Sequence, residues 1–172
     1  GNKGLCDYYT AEAIKAFNFA GRQENQQLDD MQDVGSARMR GRDFRQMAAA
    51  FLYNLTGDRK WEDLMVEESV IKTASSPLFS KDYRSSYYQI WAAAAYLICP
   101  QERHYPEFYF NLKASVNAQA DENNVNHMFT RPSRRTANDS RWQVSENLQL
   151  VMMAHYIADT PERKTLLEKA MY

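Results

Sequence analysis

The chain predicts an all-α fold of tandem helical hairpins, and three observations carry that expectation. A unit recurs: three times, a helix of small apolar residues ends in a tyrosine, followed by a short turn and a second helix. Glycine and proline number only six and five, too few for the many tight turns of an all-β chain. Apolar positions within the expected helices also repeat near 3.6 residues.

The first hairpin reads from Ala48-Ala49-Ala50-Phe51-Leu52-Tyr53, through Asn54-Leu55-Thr56-Gly57-Asp58, into a helix from about Arg59. Gly57 can take positive φ as a C-cap, and Asp58 can accept backbone N–H groups as the next N-cap. The second runs from Ala92-Ala93-Ala94-Ala95-Tyr96, past Cys99-Pro100-Gln101, to a helix after Pro106. The third joins Met152-Met153-Ala154-His155-Tyr156, by Ala158-Asp159-Thr160-Pro161, to a helix reaching Tyr172. Thr160 followed by Pro161 is an N-cap with proline at the first helical position. Ser75-Ser76-Pro77 is expected to end the helix before it, since proline disfavours α geometry in the preceding residue. The tyrosines lie 43 and 60 positions apart, so the unit recurs without a strict period.

Two stripes are the expected core faces: Phe44, Met47, Ala48, Phe51, Leu52 and Leu55, and then Leu148, Val151, Met152, His155 and Tyr156. Tyr87, Tyr88 and Trp91 are expected on one helix, with Trp91 in the core. Two polar stretches interrupt the helices. Gln23 to Ser36 carries Asp29, Asp30 and Asp33, and Phe129 to Arg141 is rich in arginine. Long loops of this kind are more often functional than idle.

At 172 residues the chain suits a single domain over 1–172 with a real core. A net charge of −1 argues against nucleic acid as a partner. No apolar run approaches the roughly 20 residues of a membrane span, so no membrane partner is expected. Cys6 and Cys99 form no metal-ligand spacing, and His104, His127 and His155 lie far apart, so neither a metal site nor a cofactor is expected. His155, on an apolar stripe, reads as a hydrogen-bonded core histidine. Asn54-Leu55-Thr56 matches a glycosylation sequon but falls at a helix end expected to be buried.

Chemistry-bearing clusters are few. Asp29, Asp30 and Asp33 could hold a water as inverting glycosidases do, yet an acidic turn ahead of a helix is the stronger reading. The arginine loop with Trp142 at its end is the better binding candidate. Indole offers a flat face for a sugar ring, and the Arg131, Arg134 and Arg135 forks can bond hydroxyls or carboxylates. Against this, the arginines can pair with nearby acids, and Trp142 can anchor a helix starting near Gln143.

Two stretches, in order, resemble glycoside hydrolase family 9. Ala48 to Trp61 is similar to that family's AAAxLYxxTGDxxY hairpin. Arg141-Trp142-Gln143-Val144-Ser145-Glu146-Asn147, with the hairpin after it, is similar to its WGSN stretch. The resemblance covers about a third of the chain. It implies an (α/α)6 barrel and inverting hydrolysis of β-1,4-glucan or a related plant polysaccharide. It also implies a parent protein that is secreted or periplasmic, and Trp142 along the sugar cleft. The family's catalytic Asp pair and acid Glu have no counterparts in this chain, so no catalytic residue is carried over and the segment alone is expected to be inactive. Asp30 and Asp33 copy the spacing of the Asp pair, but in the wrong place and without the intervening glycine. Glu146 interrupts the match at Ser145 and Asn147. Other readings remain open: a non-catalytic hairpin module binding protein or glycan, or another six-hairpin enzyme using the arginine loop on uronic acids.

Both ends read as cuts. Gly1 is what a cleaved tag would leave, and the pattern Leu166, Leu167, Ala170, Met171 stops without a glycine or proline. Three hairpins make about half of a six-hairpin ring, so apolar faces at the cuts are expected to support a homodimer.

Overall fold

The computed structural model describes residues 2–23, 31–34, 37–80, 87–125, 144–157 and 160–171. Seven helices and two short antiparallel hairpins occur among them: α1 (Lys3–Gln23), β1 (Met31–Val34), β2 (Ala37–Arg40), α2 (Gly41–Thr56), α3 (Arg59–Glu67), β3 (Phe79–Ser80), β4 (Tyr87–Tyr88), α4 (Ile90–Leu97), α5 (Pro106–Val125), α6 (Val144–Ile157) and α7 (Pro161–Met171). The mainly helical class is as expected. The strands are not: Met31 pairs with Arg40 and Val34 with Ala37, inside and beside a stretch expected to be loop, and Phe79 pairs with Tyr88. Tyr87 and Tyr88 therefore lie in a strand, and only Trp91 lies in the helix.

The chain forms two compact units, Gly1–Ser69 with Phe79–His104, and Val70–Leu78 with Tyr105–Tyr172. In the first, the boundaries follow local chemistry. Gly57 closes α2 at φ 67°, its N–H donating to the Tyr53 carbonyl at 2.8 Å. Only glycine takes that φ without strain, and an added Cβ would also lie 2.9 Å from Gln101 Oε1. Asp58 then caps α3, accepting the Lys60 N–H at 3.1 Å.

Side-chain bonds set the directions of the helices. Gln46 near the start of α2 donates to the Met65 carbonyl near the end of α3, so these two run antiparallel. Asp43 accepts from the Gln89 amide just before α4, and Asn54 near the end of α2 donates to the Ala95 carbonyl near the end of α4. Thus α2 and α4 run parallel. Buried Ala49, Ala50, Ala92 and Ala93 present little side-chain bulk on these helices, which suits the direct bond from Asn54 to the α4 backbone.

The apolar stripe of α2 turns out not to be its core face. The buried residues are Asp43, Gln46, Ala49, Ala50, Leu52 and Tyr53, whereas Phe51 and Leu55 are about half exposed. Phe44, Met47, Ala48, Phe51, Leu52 and Leu55 instead line a groove shared with Ala13, Phe17 and Ala20 of α1. Polar Asp43 and Gln46 hide the true core face from any hydrophobic pattern. At the end of α2, Leu55 and Thr56 of the sequon are exposed rather than buried.

In the second unit, Phe108, Leu112, Val116 and Ala120 repeat every four residues as the buried face of α5. The stretch 70–78 lies along that helix: Asn111 donates to the Lys72 carbonyl, Ser115 to the Ser76 carbonyl, and Gln119 accepts the Leu78 N–H. Ser75-Ser76-Pro77 does not end a helix, because α3 stops at Glu67. Ser76 Oγ there accepts the Lys72 and Thr73 N–H groups as a local turn. In α6, Leu150, Val151, Met153 and Ala154 are buried, while Met152 and Tyr156 of the expected stripe are exposed and His155 is intermediate. Thr160 and Pro161 open α7 as predicted, with the Arg163 N–H on Thr160 Oγ1 at 3.3 Å.

Candidate functional site

Parallel α2 and α4 give the first unit two distinct ends. At the end where both helices begin lie the two β hairpins, and at the other lie the tight Gly57 turn and the segment 98–104. Binding groups concentrate on the longer connections of a rigid scaffold.

At the hairpin end Asp43, fully buried, organises the surroundings. Its carboxylate accepts the Arg40 N–H and Nη2 at 2.9 Å, the Tyr88 N–H at 3.2 Å and the Gln89 amide at 3.0 Å. This fixes β2 against β4 at the mouth of two helices. The Arg40 guanidinium lies over the Tyr87 ring at 5.5 Å, and Tyr88 packs edge-on to Trp91 at 5.1 Å and beside Phe79 at 6.2 Å. Tyr88 is buried, whereas Phe79, Tyr87 and Trp91 are partly exposed, so the expectation of a core Trp91 is corrected. Burial raises the Tyr87 phenol pKa, so its hydroxyl stays protonated to higher pH than that of a free tyrosine. The result is a ledge of half-buried rings with one held guanidinium. It can stack on apolar ring faces and bond to hydroxyls.

At the turn end a buried carboxylate sits on three segments. Glu62 of α3 accepts the Tyr96 hydroxyl at 2.5 Å and bonds His104 Nδ1 at 2.6 Å, and the His104 N–H also points to it. Tyr53 donates to the Glu102 carbonyl and lies 3.3 Å from His104 Nδ1. Arg103 lies over the Tyr96 ring at 4.9 Å and donates to the Cys99 and Gln101 carbonyls. Burial first, and then Glu62, by its charge on Tyr53 and by its hydrogen bond on Tyr96, raise both phenols, that of Tyr53 to about 12. A carboxylate on an imidazole is the arrangement that orients catalytic histidines. Here the other ring nitrogen, Nε2, has the exposed Glu102 carboxylate at 3.8 Å. The grouping therefore reads as a clasp joining α3, α4 and segment 98–104.

These phenols imply an alkaline response. A phenol whose folded pKa is raised favours the folded state below its unfolded value near 10, and that contribution is lost as pH rises through the folded value. We expect stability to fall between about pH 10 and 12. In denaturant titrations across that range, Tyr53→Phe should show a smaller fall than the parent. An equal fall would remove Tyr53 as a contributor.

The chain matches no known protein family, curated protein or solved structure. Of the residues singled out in the sequence, Trp142, Arg131, Arg134 and Arg135 lie outside the described residues, as do Asp29 and Asp30. Asp33 is placed on β1, opposite Arg38 in the register. Among the described residues no three His, Cys, Asp or Glu side chains come together as a metal site, and no helix is long and apolar enough to cross a membrane. The sequence reading missed Asp43, Glu62 and His104. The one available signal was that Tyr53 and Tyr96 end equivalent helices, which hints that both meet the same buried partner.

Proposed function

We propose that the chain is part of a carbohydrate-active glycoside hydrolase of the six-hairpin, (α/α)6 type. The substrate is β-1,4-glucan or a related plant polysaccharide, cleaved with inversion, and the catalytic Asp pair and acid Glu are supplied from outside these 172 residues. The observation that carries this reading is the parallel packing of α2 and α4 with α3 antiparallel, which is how successive hairpins stack in a helical toroid. Two features support it. The Gly57-Asp58 turn has the cap geometry that the TGD-like sequence implies. The aromatic ledge at the opposite end offers stacking faces suited to pyranose rings. In this reading Trp91 and Tyr87 of the ledge stack on the sugar.

The test is calorimetric titration of the 172-residue chain with a soluble β-1,4-gluco-oligosaccharide and, separately, a uronic-acid oligosaccharide. Binding of the glucan, weakened about tenfold by Trp91→Ala and by Trp142→Ala, is expected. No release of reducing ends is expected from this chain alone. Preference for the uronic oligosaccharide would transfer the assignment to another six-hairpin enzyme class. No binding of either by the folded chain, or binding indifferent to both tryptophans, would sink the cleft.

A further inference from the structure

The first helix carries a feature that neither the hairpin reading nor the ledge uses. Ala13, Phe17 and Ala20 of α1 face the groove with α2, and Phe17 packs on Trp61 at 5.0 Å. Another flank bears Leu5, Tyr8, Glu12, Lys15, Phe19 and Arg22 at alternating steps of three and four residues. That spacing keeps all six on one stripe and is the seam spacing of a coiled coil. The stripe is uncovered: Leu5 is 50% exposed, Tyr8 58% and Phe19 59%.

The seam is also palindromic in chemistry. If a second α1 is laid antiparallel about a two-fold between Ala13 and Ile14, Tyr8 meets Phe19, Glu12 meets Lys15, and Leu5 meets the Arg22 stem. Each contact occurs twice, as a two-fold interface requires. Parallel pairing would instead set Glu12 on Glu12 and Lys15 on Lys15. We propose that the outward seam of α1 is a homodimer interface, with the two helices antiparallel and the Glu12–Lys15 pairs fixing register. Within one chain Glu12 and Lys15 already touch at 2.5 Å, so both side chains reach toward the centre of the seam. Arg22 lies 5.9 Å from the Phe19 ring, where it would cover the end of the aromatic contact.

The seam runs roughly 26 Å. The six large apolar side chains of the pair, Leu5, Tyr8 and Phe19 from each helix, are about half exposed and would bury on the order of 100 Å² each. At about 600 Å² from these side chains the interface is smaller than a stable one and belongs with weak, transient association, with a dissociation constant on the order of 100 µM. The proposal is independent of the carbohydrate reading.

Sedimentation velocity over a concentration series is the test, with circular dichroism confirming that each variant keeps its helicity. A concentration-dependent dimer is expected. Tyr8→Ala and Phe19→Ala should each raise the dissociation constant about tenfold. Glu12→Lys and Lys15→Glu should each abolish dimerisation, because the substitution sets like charges opposite one another twice. An equimolar mixture of those two variants should dimerise again, since antiparallel pairing restores every opposite-charge contact. The proposal is overturned by a chain that stays monomeric to near-millimolar concentration, by a dimer insensitive to all four substitutions, or by a mixture that fails to associate.

Discussion

Replacing Glu62 with alanine should cost about 3 kcal/mol, one of the two largest single-residue losses expected in this protein. The side chain is fully buried, so nothing but the fold surrounds it. The substitution removes the Glu62 acceptor from the buried Tyr96 hydroxyl and the carboxylate from His104 Nδ1, and each lost buried partner costs about 1–3 kcal/mol. It also opens a void where the carboxyl stem was packed. The measurement is urea unfolding of the parent and variant, with the difference taken from midpoints at unchanged slope. Tyr96→Phe supplies the comparison. It removes one donor while the carboxylate keeps His104, so it should cost about 1 kcal/mol. A Glu62→Ala loss no larger than that of Tyr96→Phe would mean that solvent reaches the carboxylate, and the clasp would be refuted.

Such a clasp is poorly legible from sequence. Glu62 stands 34 residues from Tyr96 and 42 from His104. Nothing local distinguishes it from the solvated acids of α3, since a hydrophobic pattern scores every carboxylate as surface. The same blindness misplaced the core face of α2, where Asp43 and Gln46 point inward and the apolar stripe borders a groove. Features set by neighbouring residues were readable: the Gly57 C-cap, the Asp58 N-cap, and proline at the heads of α5 and α7. Their causes are steric and local, a positive φ or a missing N–H. The β1–β2 hairpin was readable too, because two residues, Gly35-Ser36, separate its strands, which is a recognised hairpin signal. The acids before that signal, Asp29, Asp30 and Asp33, give the same stretch the composition of a loop. The α1 seam escaped because Glu12 and Lys15 interrupt its apolar positions. Those two charges are what make its antiparallel pairing specific.

Asp43→Ala should be as damaging as the loss of Glu62, about 3–5 kcal/mol, and it should reach function as well as stability. The carboxylate is fully buried and serves three segments at once: β2 through Arg40, β4 through the Tyr88 N–H, and the head of α4 through Gln89. At the third position of α2 it also meets the positive end of the helix dipole. Without it, the buried Gln89 amide loses the Asp43 acceptor while its bond to the Glu68 carbonyl remains, and Arg40 loses the carboxylate that holds it over Tyr87. The ledge then loosens even in molecules that remain folded. Asp43→Asn should cost less, because one oxygen still accepts while the charge pair with Arg40 is lost. We therefore expect the order parent, Asp43→Asn, Asp43→Ala in both unfolding midpoint and oligosaccharide affinity. Trp91→Ala should weaken affinity with little change in midpoint, since its ring is only partly buried. If Asp43→Asn lowers the midpoint but leaves oligosaccharide binding intact, Asp43 supports the fold alone and the sugar contacts lie elsewhere.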